Sequence, residues 1–147
     1  MEPVVKLEHK DIWYGNYRGL RIEVVRWRYT PDGDDKWNYY VYFSKKALGD
    51  ELFEKVGNGL KETKYGFDYY GSPLADLDWH CGITYGDLLR DKDGVWGIKC
   101  GCDYAHIYDE GVGYSLEWVT EDAIRTVDDF WNKFSSLQPS QNLAETE

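Results

Sequence analysis

The sequence predicts an α+β fold in which an antiparallel sheet of about five strands is packed by a C-terminal amphipathic helix. Apolar and polar residues alternate in several short segments separated by turn-forming residues, as they do in half-buried strands. Near the C-terminus, apolar residues recur at spacings of three and four, as they do on one face of a helix. The chain has 147 residues, so we expect a single domain over residues 1–147.

Two strands are predicted in residues 12–30, "IWYGNYRGLRIEVVRWRYT", with a tight turn between Asn16 and Gly19. In the second strand, apolar residues occupy every other position from Leu20 to Val24, which indicates one buried face. The segment "TPDGDDK" is typical of a turn, because proline fixes φ and glycine tolerates positive φ. Residues 37–43, "WNYYVYF", then complete an antiparallel meander.

The middle of the chain is less regular. "SKKALGDELFEKV" predicts a short helix from about Ser44, weakened by Gly49. Residues 57–80 are predicted to be a long irregular segment, which in a compact domain is usually functional or anchored. "VWGIKCGCD" is a further strand, and alternation assigns one set of its side chains to the core. That set is Trp96, Ile98, Cys100 and Cys102.

The predicted C-terminal helix runs from about Glu121 to Gln138, with Thr120 as its N-cap. Pro139 ends it, and residues 139–147 are expected to be a flexible tail. Its apolar stripe consists of Ala123, Ile124, Val127, Phe130, Trp131, Phe134 and Leu137.

The charge of the chain excludes some functions. Acidic residues number 27 against 17 basic ones, for a net charge of −10. Phosphate backbones repel such a surface, so direct nucleic-acid binding is not expected. No segment is long and apolar enough to cross a membrane, and the start "MEPVVKLEHKD" lacks the apolar stretch of a signal peptide. We therefore expect a cytoplasmic protein with free cysteines.

Metal-capable side chains cluster in two short segments. "WHCG" carries His80 and Cys81, and "CGCDYAHIYD" carries a larger group. Zinc takes four ligands from cysteine, histidine and carboxylate groups. Sulfur affinity favours the three cysteines with one histidine, but strand alternation directs two of them into the core and separates His80 from Cys81. Histidines that bind no metal are the other interpretation. The larger group is Cys100, Cys102, Asp103, His106 and Asp109.

Motifs of other chemistries are missing from the sequence. There is no P-loop, no nucleophile elbow and no H-E-x-x-H zinc-protease motif. No catalytic residue is therefore predicted.

The order of these segments resembles a family of small phage and prophage proteins. In that family, an aromatic hairpin precedes "H-G-G-[IL]-T-Y", "G-x-D-x-x-H-x-x-D" and a C-terminal amphipathic helix. The matching pieces here are "NYRGLRIEVV", "WNYYVYF", "WHCGITYGD", "GCDYAHIYD" and the helix from Glu121. The resemblance implies that His80, Asp103, His106 and Asp109 are the metal ligands, with Cys102 and Cys81 as the runners-up. The chain departs from the pattern at Cys81, where the family has glycine, and at Tyr104, where many relatives have cysteine.

The resemblance also implies a function. It implies a phage-encoded, non-enzymatic inhibitor of type II Cas9 with a structural zinc ion, located in the cytoplasm of the bacterial host. The acidic charge is consistent with a partner that has positively charged channels. Two alternatives remain at this point: a metal-dependent hydrolase, and a metal-free accessory phage protein.

Overall fold

A computed structural model of the chain describes residues 10–57, 61–63, 66–68 and 71–134. Five antiparallel strands form the main sheet in the order β1-β2-β3-β7-β6, and β4 and β5 form a separate two-stranded ribbon. The α+β prediction is confirmed. The strands are β1 Lys10–Tyr17, β2 Leu20–Trp27, β3 Lys36–Ser44, β4 Lys61–Thr63, β5 Gly66–Asp68, β6 Tyr85–Asp91 and β7 Gly94–Asp103. The helices are α1 Lys45–Leu48, α2 Asp50–Gly57 and α3 Leu116–Lys133, and short 3-10 turns span Pro73–Asp76 and Ile107–Asp109.

The first hairpin turns at Arg18 and Gly19. Both residues have positive φ, at 49° and 84°, which is the signature of the type I′ turn that suits the twist of a two-residue hairpin. The turn lies inside the predicted window, and Asn16 belongs to β1 and pairs with Arg21.

One face of the sheet is covered by helix α3. Alternate residues of the central strands point to this face, as the predicted periodicity of β2 requires. Phe43 of β3 packs against Phe130 of α3 with ring centroids 4.9 Å apart. The buried α3 residues are Val119, Asp122, Ala123, Thr126, Val127, Phe130 and Trp131.

Helix α3 begins earlier than the sequence predicted. Ser115, not Thr120, is the N-cap, because its side chain accepts a hydrogen bond from the Trp118 amide. The predicted end at Gln138 and the predicted tail from residue 139 lie outside the described residues. The extra first turn places Trp118 beside the loop that precedes the helix.

Three further predictions change in detail. The predicted short helix is two helices, because Gly49 adopts a φ of 84° between them. The 57–80 segment contains the β4–β5 ribbon and a 3-10 turn, so it is not irregular throughout. Trp96 is 40% exposed and does not belong to the core. The register of β6 and β7 shifts between Leu89 and Arg90, and this shift breaks the alternation of side chains at Trp96. No helix in the described part of the chain is long and apolar enough to cross a bilayer.

Candidate metal centre

Four side chains from two separate segments meet at one corner of the sheet. His80 and Cys81 lie in the turn before β6, and His106 and Asp109 lie in the loop after β7. We call these four residues the histidine corner. The ligand atoms of His80, Cys81 and His106 all lie within 4.8 Å of one another. Two of the four residues that the resemblance implied as ligands, His80 and His106, therefore belong to a group that could hold a metal ion, together with the runner-up Cys81.

The imidazole of His80 is fixed by aromatic packing. Its ring stacks on Tyr104 at a centroid distance of 3.8 Å and an angle of 11°. The backbone amide of His80 donates to the hydroxyl of Tyr39, 3.2 Å away, and Tyr39 is in turn bonded to Thr126 of α3 at 2.7 Å. The core thus holds this histidine in one orientation.

Cys81 has an unusual backbone conformation. Its φ is 56°, a left-handed value that costs an L-residue roughly 1 to 2 kcal/mol. The next residue, Gly82, has a φ of 96°, so the chain turns sharply here. Strand alternation does not apply in such a turn, and the Cys81 sulfur lies 3.7 Å from Nε2 of His80. The sequence argument that separated these two neighbours was therefore wrong, because it assumed a strand.

Asp109 is the acceptor at the centre of the corner. Its side chain is 3% exposed, and Oδ1 accepts from Nε2 of His80 at 2.7 Å and from the Tyr114 hydroxyl at 2.5 Å. Oδ2 accepts from the His106 amide at 2.9 Å and lies 3.2 Å from Nδ1 of His106. Burial alone would raise the pKa of Asp109, but hydrogen bonds from Tyr114, His106 and His80 outweigh it, and the pKa falls below its usual value.

Asp103 lies at the edge of the corner. Its Oδ1 is 3.6 Å from Nδ1 of His106 and accepts a hydrogen bond from the Ala105 amide at 3.0 Å. Its side chain is half-buried. Asp103 is therefore a second carboxylate beside His106. The carboxylate that is hydrogen-bonded to His80 is Asp109.

His80, Cys81 and His106 could together hold a metal ion. Two ligands of one tetrahedral zinc ion stand about 3.3 to 3.7 Å apart, because zinc–nitrogen and zinc–sulfur bonds are about 2.0 to 2.3 Å long. The 3.7 Å separation of the Cys81 sulfur and His80 Nε2 matches this spacing. The 2.7 Å contact of Nε2 with Asp109 is instead a hydrogen bond. An ion on Nε2 would displace that proton and free a carboxylate oxygen of Asp109 as a fourth ligand.

The same geometry disfavours a cysteine nucleophile. In a Cys–His–Asp arrangement, the acid and the thiol engage opposite nitrogens of the imidazole. Here both Asp109 and Cys81 face Nε2 of His80. Burial and the nearby carboxylates Asp109 and Asp103 also raise the pKa of Cys81, which favours the unreactive thiol.

The remaining two cysteines belong to the core. Cys100 and Cys102 are both fully buried on the helix-covered face of β7. Burial raises the pKa of Cys100, and it raises the pKa of Cys102 to about 12. Cys102, a predicted runner-up ligand, is not in the metal-capable group, whereas Cys81, the other runner-up, is.

A cleft opens beside the histidine corner. It has a volume of about 640 Å³ and lies between the start of β3 and the loop that follows β7. His106 and Asp109 reach it from the corner, and among the described residues carboxylates outnumber the single lysine in its lining. The residues that line it are Asp34, Asp35, Lys36, Trp37, Tyr104, Ala105, His106, Asp109, Glu110, Gly111, Val112, Gly113 and Tyr114.

Sequence reasoning missed the tyrosines that hold the corner. Tyr104 stacks on His80, and its hydroxyl donates to Asp122 of α3 at 2.6 Å. Tyr114 meets the Tyr104 ring at 4.7 Å and hydrogen-bonds to Asp109. Their positions near the "D-x-x-H-x-x-D" segment could be read from the sequence. Their contacts could not, because they depend on the position of α3.

No known protein family, curated protein or solved structure matches this chain.

Proposed function

We propose that the protein is a non-enzymatic inhibitor that binds a basic protein surface of a bacterial defence effector and carries a structural zinc ion. The observation that carries the zinc site is the convergence of His80, Cys81 and His106 within 4.8 Å. Following the resemblance, the effector is a type II Cas9, the protein is encoded by a phage, and it acts in the bacterial cytoplasm.

A structural role for zinc is supported by what the corner connects. The turn that holds His80 precedes β6, whereas His106 and Asp109 follow β7. An ion bound to both segments would close the chain between them in the same way as a covalent crosslink. Because the ligands of such an ion come together only in the folded chain, its binding free energy adds to the free energy of unfolding.

Inhibition by protein binding is supported by the charge of the chain. A net charge of −10 favours association with positively charged surfaces. Effectors that guide nucleic acid have such surfaces, because they hold the phosphate backbone in basic channels. The inhibitor would occupy the channel entrance and exclude DNA.

Zinc binding is tested on protein purified without added metal. We expect about one equivalent of zinc per chain by elemental analysis, and a lower melting temperature after chelation. His106→Ala removes a ligand and should abolish both the bound zinc and the effect of the chelator, whereas Glu54→Gln on α2 should change neither. A metal-free preparation whose melting temperature does not respond to zinc would exclude the site.

The inhibitor hypothesis is tested with Cas9 loaded with guide RNA. We expect the protein to form a stable complex with it and to reduce cleavage of target DNA in proportion to the inhibitor added. Complex formation should weaken steeply as salt increases, because screening acts on exposed charges. Absence of both a complex and inhibition would contradict this proposal without affecting the zinc site.

One observation favours a metal-dependent hydrolase as the second candidate. The cleft of about 640 Å³ reaches His106 and Asp109, so an ion held by three protein ligands would keep one position open to a substrate. Zinc-dependent hydrolysis of p-nitrophenyl acetate or p-nitrophenyl phosphate, lost in His106→Ala, would support this candidate. Zinc-loaded protein without such activity is expected if the ion is structural.

A further inference from the structure

The loop of residues 106–114 exposes apolar side chains that a folded protein normally buries. Ile107 is 77% exposed and Tyr108 is 81% exposed. No other large apolar side chain among the described residues is as exposed as these two. Val112, on the same loop, is 36% exposed and lines the cleft. Large apolar groups exposed close together are typical of binding surfaces.

The loop is held by hydrogen bonds in spite of this exposure. Asp109, between the exposed residues, is buried and accepts hydrogen bonds from the amide of His106 and the hydroxyl of Tyr114. Tyr114 then contacts the exposed Trp118 of α3 at a ring distance of 4.8 Å. Preorganisation lowers the entropic cost of binding, so a hydrogen-bonded loop that exposes apolar side chains suits recognition.

The charge of the cleft indicates which charge a partner of this surface would carry. Asp34 and Glu110 are both exposed and line it. Asp35 is paired with Arg28 at 2.6 Å, and Asp109 is engaged by the two histidines. Lys36 is the only lysine among the described residues that line it. Asp34 and Glu110 therefore give the cleft a negative charge directed at an incoming group.

We propose that the 106–114 loop and the adjoining acidic cleft form a docking surface for a basic protein segment that carries arginine or lysine beside aliphatic residues. The apolar part of the segment packs on Ile107 and Tyr108, and its cationic side chain enters the cleft towards Asp34 and Glu110. This deepens the proposed function, because it names the face on which a basic partner is bound.

The docking surface is tested with a peptide of alternating arginine and leucine, titrated into the isotope-labelled full chain and followed by NMR. We expect shifts confined to residues 34–37 and 106–114. Ile107→Ser with Tyr108→Ser should weaken binding about tenfold or more. Its matched control is Ile12→Ser with Tyr29→Ser, which removes an exposed isoleucine and an exposed tyrosine elsewhere and should bind as the unchanged protein does.

The contribution of the acidic cleft to peptide binding is tested separately. Asp34→Asn with Glu110→Gln should weaken peptide binding and reduce its dependence on salt, because screening acts on those charges. Asp93→Asn with Glu54→Gln makes the same charge change far along the chain and should leave binding unaltered. A second peptide with glutamate in place of arginine should not bind.

The inference is overturned if the arginine–leucine peptide leaves the resonances of residues 106–114 unchanged, or if the loop variants and their controls bind it equally. These outcomes are separate from the Cas9 experiment. A protein that binds the peptide through this surface but not Cas9 would retain the docking surface and lose the proposed target.

Discussion

Cys102 and Cys81 are held by this fold in two different ways. Cys102 lies in a central strand, is fully buried and is fixed by the packing of the sheet against α3. Cys81 lies in a turn with a φ of 56°, is exposed and faces two histidines and a carboxylate. The sheet is thus stabilised by burial of apolar surface, whereas the histidine corner is stabilised by polar partners. The two regions should therefore respond differently to metal, pH and substitution.

The largest effect is expected in the sheet, at Gly101. A Cβ at this position would lie 2.3 Å from a ring carbon of Tyr40 and 2.5 Å from the carbonyl oxygen of Tyr39. The carbonyl belongs to the paired backbone of β3 and has no room to move. Gly101→Ala should therefore lower the free energy of unfolding by roughly 3 kcal/mol.

The control for this substitution is Gly15→Ala in β1, where an added Cβ meets no atom within 4 Å. Its free energy of unfolding should stay the same or rise slightly, because alanine loses less backbone entropy than glycine in a strand. Chemical denaturation of both variants, with and without zinc, measures the difference. If zinc restores the stability of Gly101→Ala selectively, the sheet and the corner are not independent regions.

The next effect is expected at Asp109. Asp109→Asn keeps the shape of the side chain but places an amide among hydrogen-bond donors, so the free energy of unfolding should fall by about 2 kcal/mol. Because folding lowers the pKa of Asp109, its contribution is present above the unfolded pKa of about 4 and is lost as pH falls through the folded value.

The unchanged protein should therefore lose stability on acidification below about pH 4 more steeply than Asp109→Asn does. Urea denaturation at a series of pH values measures both curves. Parallel curves for the two proteins would show that Asp109 does not hold the corner through its charge.

The smallest effect is expected at Cys81, and its sign depends on metal. Cys81→Gly relieves the left-handed conformation and should raise the free energy of unfolding of metal-free protein by about 1 kcal/mol. The same substitution removes a proposed ligand and should lower zinc affinity. Thermal denaturation of both proteins with and without zinc tests this reversal, and an unchanged zinc response in Cys81→Gly would exclude the thiol from the site.

The sequence allowed the sheet to be predicted better than the corner. Alternation placed Cys100 and Cys102 in the core correctly. Side chains of a strand point to alternate faces, and this pattern can be recognised over many positions. The same rule failed for Cys81, because its left-handed backbone conformation directs the side chain to the same side as that of His80. It also failed for Trp96, where the register shift breaks the alternation.

Much of the corner depends on contacts between distant segments. The short spacing of His106 and Asp109 was visible in the sequence, and so was their proximity to a strand end. The stacking of His80 on Tyr104, and the bond from Tyr104 to Asp122, join residues that only the folded chain brings together. No local pattern encodes such contacts, so the support of the site had to come from the structure.

Cobalt titration tests the central claim most directly, because a thiolate bound to Co²⁺ gives an intense near-ultraviolet charge-transfer band. We predict that the metal-free protein develops this band and saturates at about one equivalent per chain. The band should vanish in Cys81→Ser and persist in Cys100→Ala and Cys102→Ala. A band that persists in Cys81→Ser, or no band in the unchanged protein, would contradict a metal site built on His80, Cys81 and His106.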